Sequence, residues 1–370
     1  MKIGIPKEVK NHEYRVGLTP EAVRMFTKAH HEVFVEKGAG VAIGFTDALY
    51  EKAGAKILAT KEEVYATAEM IIKVKEPQPE EYPLLRKGQV LFSYLHLAAD
   101  PKLAEALVRQ NVVALAYETV TDEQGRLPLL VPMSEMAGRI ALQAGANALH
   151  IASGGRGVLL GGIPGVLPGK VVVIGGGVVG TNAASMAIGL GADVIILDRS
   201  LPRLRELNAH FGSRLRTVFS TQQHLEHVIQ EADLVIGAVL LPGKAAPKLI
   251  TKEMLGMMKG GSVIVDVAID QGGCAATSKP TTHSKPTFVE QGIVHYCVTN
   301  MPAACSRTAT FGLSNAISPV GLYIANVGYR EAILSDPHLQ KGLNVCYGQV
   351  TNADVAAELG YDYVPPRETL

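Results

Sequence analysis

Four charged or titratable side chains in this sequence come after short apolar segments: Lys75, His96 and Asp270 follow theirs closely, and Arg15 lies in the loop after the first one. If those segments are parallel strands, the four positions lie near carboxyl ends, which border the ligand crevice of an open α/β sheet. Taken alone, each is more often structural, because a single Arg or Lys is usually solvated and a single His usually serves packing. Their joint occurrence at strand ends favours a functional site.

A second constellation is a glycine-rich turn. Residues 170–180 have the sequence Lys-Val-Val-Val-Ile-Gly-Gly-Gly-Val-Val-Gly, an apolar run that leads into the pattern Gly175-x-Gly177-x-x-Gly180. An alanine-rich segment and a second apolar run that ends in Asp198 follow. Strand, turn, helix, strand and acid within about thirty residues form a dinucleotide-binding fingerprint. The three glycines allow the tight turn, the approach of backbone to a pyrophosphate, and close packing of the helix on the sheet.

The Asp198 carboxylate also indicates which dinucleotide binds. At the end of the second strand it can accept hydrogen bonds from both ribose hydroxyls, and it would repel a 2′-phosphate, which predicts NAD rather than NADP. Arg199 and Arg203 lie close in sequence and would soften that repulsion, so some use of NADP stays open.

Composition excludes several other classes of protein. The 370 residues have a formal net charge of zero, so no general field attracts nucleic acid or an anionic membrane. No apolar run has the roughly eighteen residues of a membrane span, and the N-terminus lacks a signal-peptide core. The four cysteines have no CxxC spacing, so neither zinc binding nor a disulfide framework is indicated. We expect a cytoplasmic protein with no nucleic-acid or membrane partner.

Strands and helices alternate along the chain, which predicts largely parallel sheets with helices on their faces. Strands are predicted at 2–6, 32–36, 70–74, 90–93, 112–116, 171–174, 193–197, 215–219, 233–237, 262–267 and 294–298. Helices are predicted to begin at 19–21 and to span 47–53, 101–109, 134–150, 181–190, 201–211, 225–231, 254–258 and 308–326.

Two of these helices are long enough to connect domains. Helix 134–150, with Ser134 as its cap, would carry the chain into a second domain, and helix 308–326, interrupted at Pro319, would carry it back. Too few residues follow for a third domain, so we expect only two short helices there and a return to the first domain. The predicted fold is α/β, with two Rossmann-like domains that have parallel sheets and are joined by two long crossover helices. The predicted domains are a catalytic domain at 1–129 and 308–370 and an NAD-binding domain at 130–307.

Six stretches together resemble the L-alanine dehydrogenase family over almost the whole chain. They are Gly4–Pro20, Lys73–Pro77, Tyr94–Leu97, Gly154–Gly162, Gly175–Asn182 and Val265–Cys274. The resemblance implies reversible, NAD-dependent oxidative deamination of L-alanine to pyruvate and ammonium by a homohexamer.

The resemblance also implies a role for each of the four side chains. Arg15 would pair with the substrate carboxylate through its planar guanidinium, and Lys75 would hold the carboxylate or carbonyl oxygen. His96 would be the acid and base for the carbonyl or carbinolamine oxygen. Asp270 would take part in proton transfer and order the site beside the nicotinamide.

The cofactor-binding positions of the family also map onto this sequence. Besides Gly175, Gly177, Gly180 and Asp270, they are Ser134, Val178, Val179, Asp198, Arg203, Ser220, Val239, Leu240, Val267, Lys279, Asn300 and Met301. Lys279 is the least specific match, because many relatives have Arg there, and the loop 300–308 departs from the commoner family pattern. Some relatives bind a divalent ion on the late helix, but Tyr323 and Val327 stand at those positions and suit no hard cation. We therefore predict no metal.

Two other functions share parts of the pattern. The NAD-binding subunit of proton-translocating transhydrogenase has the same two-domain plan, but it passes hydride to a second nucleotide domain and needs no substrate acid or base. A non-catalytic NAD-binding protein would be free to lose Arg15, Lys75, His96 or Asp270, and all four are present. The sequence therefore favours the dehydrogenase and leaves its activity on other small 2-oxo acids open.

Overall fold

The structure is a computed structural model that describes residues 1–239 and 246–370. The chain forms two compact units: unit 1 comprises Met1–Met133 and Cys305–Leu370, and unit 2 comprises Ser134–Ala304. Each unit has its own mainly parallel sheet with helices, so the predicted α/β class with two Rossmann-like sheets is confirmed. Leu240, one of the predicted cofactor positions, lies outside the described residues. In the described ranges no helix has the length and apolar character needed to cross a bilayer.

Unit 1 is organised around eight strands. They are β1 (Lys2–Ile5), β2 (Glu32–Glu36), β3 (Lys56–Leu58), β4 (Met70–Ile72), β5 (Val90–Ser93), β6 (Val113–Ala116), β14 (Leu343–Cys346) and β15 (Gln349–Val350). Their order in the sheet is β15-β14-β6-β5-β4-β1-β2-β3. The six strands from β6 to β3 are parallel to one another, and β14 is antiparallel to both β6 and β15. The carboxyl ends of β1, β4 and β5 therefore lie side by side.

The helices of unit 1 cover the sheet and begin at well-formed caps. They are α1 (Pro20–Lys28), α2 (Asp47–Lys52), α3 (Lys61–Thr67), α4 (Pro101–Gln110), α10 (Ser306–Val327), α11 (Tyr329–Ser335), α12 (Pro337–Gln340), α13 (Ala353–Leu359) and α14 (Pro366–Thr369). The Thr19 hydroxyl accepts the Ala22 N–H at 3.2 Å, and proline stands at the first position of α1, as predicted. Asp100 caps α4 in the same way and directs Leu103 and Leu107 into the core.

The described residues of unit 2 form a seven-stranded sheet. Its strands are β7 (Lys170–Ile174), β8 (Asp193–Asp198), β9 (Arg216–Phe219), β10 (Leu234–Gly237), β11 (Val263–Asp266), β12 (Thr287–Glu290) and β13 (Ile293–Tyr296). The order is β12-β13-β11-β10-β7-β8-β9, and only β12 is antiparallel to its neighbour. The helices are α5 (Val131–Ala148), which begins in unit 1, α6 (Val178–Gly189), α7 (Leu201–Phe211), α8 (Gln222–Gln230) and α9 (Lys252–Leu255).

The two long helices differ from the prediction. Helix α5 begins at Val131, so Ser134 lies within its first turn and is not its cap. The prediction was wrong because Pro132 fits the start of a helix and the Leu127 carbonyl already accepts the Val131 N–H at 3.0 Å. Helix α10 continues past Pro319 without a break. Proline removes one hydrogen bond there, while the preceding Ser318 hydroxyl donates to the Ser314 carbonyl.

The segment after α10 is richer in structure than predicted, because it contains four short helices and the strands β14 and β15. β14 pairs with β6, so this segment completes the sheet of unit 1. The strands β3 and β12 and the helix α3 were also missed. The turns that precede β13 and β15 have left-handed residues at both central positions, Gln291-Gly292 and Tyr347-Gly348. Neither pair is the Asn-Gly or Asp-Gly that marks such a hairpin in a sequence.

The core of unit 1 contains a buried charge cluster beside its apolar residues. The Lys73 ammonium lies 3.1 Å from a carboxylate oxygen of Glu8 and 3.2 Å from one of Glu81, and all three side chains are almost fully buried. Burial raises the pKa of Glu8 to about 7, with smaller increases from Glu81 and Glu13, although Lys73 acts in the opposite direction. Glu8 therefore titrates near neutral pH in the folded protein.

This pKa predicts how stability depends on pH. The folded protein keeps the Glu8 proton up to about pH 7, whereas the unfolded chain loses it near the usual 4.5. The stability contributed by this group is complete below that lower value and is lost as the pH rises through 7, by roughly 2–4 kcal/mol. Thermal or urea unfolding at pH 5.5 and pH 8 should therefore show a larger loss for the wild type than for Glu8→Gln. Equal losses in the two proteins would contradict the prediction.

Candidate functional site

In unit 2, the glycine turn after β7 leaves no room for larger residues. Gly175 has φ +101°, and a Cβ there would lie 2.7 Å from the Ala238 carbonyl oxygen. A Cβ on Gly180, in the first turn of α6, would overlap the carbonyl oxygen of Gly175 itself. A Cβ on Gly177 would meet no described atom within 4 Å. Two of the three glycines are therefore required by packing, and the third borders open space.

Asp198 and Arg203 hold this turn in shape. The Gly176 N–H donates to one Asp198 carboxylate oxygen at 2.7 Å, and the Ser200 N–H donates to the other at 2.7 Å. Arg203 donates from Nε to the Gly176 carbonyl at 2.7 Å and from Nη2 to the Thr181 hydroxyl at 2.8 Å. Arg203 is thus already engaged with protein groups, which the sequence did not indicate.

The turn fits the pyrophosphate of a dinucleotide. Gly177 is the N-cap of α6 and has no side chain that could accept the first N–H groups of the helix, so this cap does not occupy them. These N–H groups and the positive end of the helix dipole favour a phosphate. The predicted positions Val178 and Val179 lie in this first turn, and Val178 is exposed.

Five other predicted cofactor positions in unit 2 lie at or just beyond the carboxyl ends of parallel strands. Ser220 follows β9, Val239 follows β10, Val267 follows β11, and Asn300 and Met301 come after β13. Because these strands are parallel, the four ends lie on the same edge of the sheet as the glycine turn. Lys279 lies elsewhere, in the loop before β12, where its ammonium is 4.3 Å from the centre of the Phe288 ring. Ser134 lies in α5.

Asp270 lies one turn beyond β11, in the 3₁₀ segment Val267–Gln271, and its side chain is exposed. The loop that carries it is held by Asp266, which sequence reasoning missed. The buried Asp266 carboxylate accepts the N–H groups of Ala268 at 3.1 Å and Cys274 at 2.8 Å. The sequence feature that could have identified Asp266 is its place as the last residue of a buried strand, β11.

In unit 1, Arg15 is only 2% exposed and is held by a second residue of its own loop. Its Nε and Nη2 atoms each donate to one carboxylate oxygen of Glu13 at 2.7 Å, which is a bidentate pair. Burial opposes the charge of Arg15, but Glu13 outweighs it and raises the pKa of the guanidinium. Arg15 therefore stays a cation in a fixed orientation.

Lys75 follows β4, and its side chain is 14% exposed. Its ammonium lies 3.9 Å from a carboxylate oxygen of Glu76, whose other oxygen accepts from Lys10 at 2.5 Å. Although burial favours the neutral acid, Lys75 and Lys10 hold the pKa of Glu76 below its usual value. The ammonium of Lys75 is thus the less tightly paired of these two cations.

His96 lies in the loop after β5 in a left-handed conformation, with φ 49°. Its N–H donates to Glu118 at 2.6 Å, and its ring is stacked on Tyr94 at a centroid distance of 5.9 Å. The side chain is 48% exposed, which leaves the imidazole accessible. Tyr94 is buried, donates its hydroxyl to the Leu129 carbonyl at 2.6 Å, and lies near enough to interact electrostatically with Arg15.

The carboxyl ends of β1, β4 and β5 are adjacent in the sheet, and Lys75 and His96 each lie three residues beyond the end of their strand. Arg15 lies farther along the loop after β1 and interacts electrostatically with Tyr94, the residue on which the His96 ring is stacked. Sequence reasoning missed the residues that hold them. The position of Glu13, two residues from Arg15, could have suggested an ion pair. Nothing in the sequence besides the residue types indicates that Tyr94 and Glu118 contact His96.

The chain is similar in sequence and fold to known proteins over almost its whole length. Residues 4–137 match the family model described as the alanine dehydrogenase/PNT N-terminal domain, and residues 141–353 match the corresponding C-terminal domain. An alanine dehydrogenase of Halomonas elongata is 55% identical over 98% of both chains. A solved L-alanine dehydrogenase is 50% identical, with a TM-score of 0.94 over 97% of this chain and 99% of its own. A transhydrogenase of Sinorhizobium meliloti shares the fold at 24% identity, with a TM-score of 0.82 over 95% and 100% of the two chains.

The glycine turn yields a prediction with matched variants. Gly177→Ala places a methyl group in the open space before α6, so it should leave the melting temperature near that of the wild type and weaken NADH binding by roughly tenfold or more. Gly180→Ala should instead destabilise unit 2, because its methyl group overlaps backbone. Gly189→Ala, at the far end of α6 and also in open space, is the control and should change neither property. Calorimetry and NADH fluorescence titration measure both, and unchanged NADH affinity in Gly177→Ala would contradict the assignment of the turn.

Proposed function

This chain belongs to the alanine dehydrogenase/PNT family and is an NAD-dependent oxidoreductase, and we propose that it converts L-alanine reversibly to pyruvate and ammonium. The observation that carries the proposal is the sheet order of unit 1, which places Arg15, Lys75 and His96 after three adjacent strands. Two cations and an accessible imidazole suit a substrate with a carboxylate and a reacting carbonyl group.

In the proposed mechanism Arg15 and Lys75 bind the substrate. Glu13 accepts from Nε and Nη2 of Arg15, and the Met133 sulfur accepts from Nη1 at 3.0 Å, so the guanidinium is held in one orientation. In that orientation its positive charge would pair with the substrate carboxylate. Lys75 would bind the carboxylate or the 2-oxo oxygen and stabilise negative charge that develops there. Burial raises the pKa of Tyr94, so its hydroxyl stays protonated and continues to anchor the stacked His96.

His96 and Asp270 would move the protons. NAD bound at the glycine turn would supply the hydride acceptor for oxidation, and NADH would supply the donor for the reverse reaction. His96 would accept the hydroxyl proton of the carbinolamine as ammonia leaves, and would return a proton to the carbonyl oxygen in the amination direction. Asp270 would take part in the transfer of protons to and from the amine nitrogen and water.

The proposal also assigns a task to each unit. We propose that unit 1 binds the substrate and unit 2 binds NAD, with the division of the chain at 133/134 and 304/305. The homohexamer, the cytoplasmic location and the lack of a metal remain predictions.

The assay that tests the function follows NADH absorbance with pyruvate and ammonium. Steady oxidation of NADH that requires both compounds supports the dehydrogenase. A transhydrogenase subunit would instead need a second nucleotide as acceptor, and a binding protein would show no turnover. Oxidation without dependence on ammonium would also reject the proposal.

The acid–base roles predict the effect of two substitutions. His96→Ala and Asp270→Asn should each lower turnover by roughly two orders of magnitude or more, because each removes a proton-transfer group. NADH should still bind to both variants, since neither residue lies in the glycine turn. His30→Ala, which removes a histidine outside the site, is the control. Near-normal turnover in either variant would remove that residue from the mechanism.

Asp198 should determine the choice between NAD and NADP. Asp198→Asn removes the negative charge and keeps one oxygen acceptor for the turn, so the ratio of kcat/KM values for NAD and NADP should fall by roughly tenfold or more. Glu206→Gln removes a nearby carboxylate of α7, the partner of Arg203, and should leave the ratio unchanged. A ratio in Asp198→Asn equal to that of the wild type would place Asp198 away from the ribose.

A further inference from the structure

Glu8 is a buried residue of the loop between β1 and α1 to which the reaction so far assigns no task. One oxygen of its carboxylate accepts the Val74 N–H at 2.6 Å and the Lys75 N–H at 3.3 Å. The other oxygen accepts from the Lys73 ammonium at 3.1 Å. Glu8 therefore binds three consecutive residues at the end of β4, of which the last is the proposed substrate-binding lysine.

The segment that Glu8 binds is held from a second side as well. Lys73 also donates to Glu81 at 3.2 Å, and Glu81 accepts the Tyr65 hydroxyl at 2.9 Å. Glu81 contacts the side chain of Lys73 and the N–H of Gln78, at 2.8 Å, whereas Glu8 contacts the backbone at Lys75. The two carboxylates share one ammonium, but only Glu8 reaches the residue that would touch substrate.

The same loop carries Arg15. Glu8 and Arg15 are seven positions apart in the sequence, and they interact electrostatically inside the protein. Glu13 orients the Arg15 side chain, and Glu8 fixes the backbone of Lys75. One short loop therefore controls the positions of both cations. A displacement of Glu8 would change the position of Lys75 relative to Arg15 while both charges remain.

We propose that Glu8 is a positioning residue for substrate binding, which fixes Lys75 at the end of β4 so that Lys75 and Arg15 engage one 2-oxo acid together. The inference rests on the proposed function of Arg15 and Lys75. Glu8 touches no substrate and moves no proton in the reaction. Its loss should therefore weaken the binding of the 2-oxo acid and leave the proton transfer at His96 intact.

The test compares Glu8→Gln with Glu81→Gln. In Glu8→Gln the amide has only one oxygen. If that oxygen accepts the backbone N–H groups of Val74 and Lys75, the NH₂ group points at the Lys73 ammonium, which is also a donor. The two donors repel each other, so residues 73–75 must shift. At pH 8, where the Glu8 carboxylate of the wild type is ionised, the KM for pyruvate at saturating ammonium and NADH should rise by roughly tenfold, with kcat within about threefold of the wild type. Glu81→Gln removes a carboxylate from the same ammonium without contact to Lys75, and its KM should stay within about twofold.

Three further measurements make the outcome decisive. NADH affinity, a property assigned to unit 2, should be unchanged in both variants, and the melting temperature reports general damage. Glu8→Asp, which keeps the charge and shortens the reach, should give a KM between those of the wild type and Glu8→Gln. If Glu8→Gln does not yield folded protein, Glu8→Asp is compared with Glu81→Asp instead. The KM for pyruvate should then rise more in the Glu8 variant than in the Glu81 variant.

The results separate this inference from the function on which it rests. An inactive wild type would overturn the proposed function. An active wild type, together with a KM for pyruvate that rises no more in the Glu8 variant than in the Glu81 variant, would overturn only the role of Glu8. A loss of kcat at unchanged KM in Glu8→Gln would overturn it as well.

Discussion

Both units depend on one recurring interaction, a carboxylate that accepts backbone N–H groups of the loops beyond the parallel strands. In unit 1, Glu8 binds the N–H groups after β4, and Glu118 binds those of Leu95 and His96 after β5. In unit 2, Asp198 binds the glycine turn after β7, and Asp266 binds the loop after β11. Loop N–H groups that lie in the interior lose water and have no partner strand, so each needs an acceptor. A carboxylate can serve several of them at once.

This use of carboxylates has electrostatic consequences for the site. The interior of unit 1 contains Glu8, Glu13 and Glu81 with the cations Lys73 and Arg15, so the carboxylates outnumber the cations. Removing such charges from water costs free energy. The same cost raises the pKa of Glu8 to about 7, because burial disfavours its charged form. What the arrangement provides is orientation. A buried fork or a multiply bonded carboxylate holds its partner in one direction, and a substrate site needs such order before the substrate arrives.

The two sites use the polypeptide in different ways. Around the glycine turn the backbone itself is the binding surface, so the turn requires the absence of side chains at Gly175 and Gly180 and space at Gly177. In unit 1 the side chains are the binding surface, and the surrounding residues orient them: Glu13 for Arg15, and Tyr94 with Glu118 for His96. A phosphate group suits the first arrangement because many N–H groups can share its charge. A small 2-oxo acid suits the second, since it has few atoms and each must be recognised separately.

The sequence by itself determined the α/β class, the family and the use of NAD, and the structure and the comparisons confirm all three. These features follow from local sequence patterns. Apolar runs predict buried strands, capping residues mark the starts of α1 and α4, and the glycine spacing indicates where the backbone approaches a phosphate or a neighbouring element closely. The two missed hairpin turns, at Gln291-Gly292 and Tyr347-Gly348, lack the residues that usually mark such turns, and pairing with a neighbouring strand supplies the stability instead.

Only the tertiary structure decided which strands are neighbours and which buried charges meet. Arg15, Lys75 and His96 are far apart in the sequence, and the order β1-β4-β5 is what makes their strand ends adjacent. Glu8 and Lys75 are separated by 67 residues, and no local pattern reveals that one binds the backbone of the other. Spacing along a chain reports local geometry, whereas long-range polar contacts depend on how the whole sheet packs.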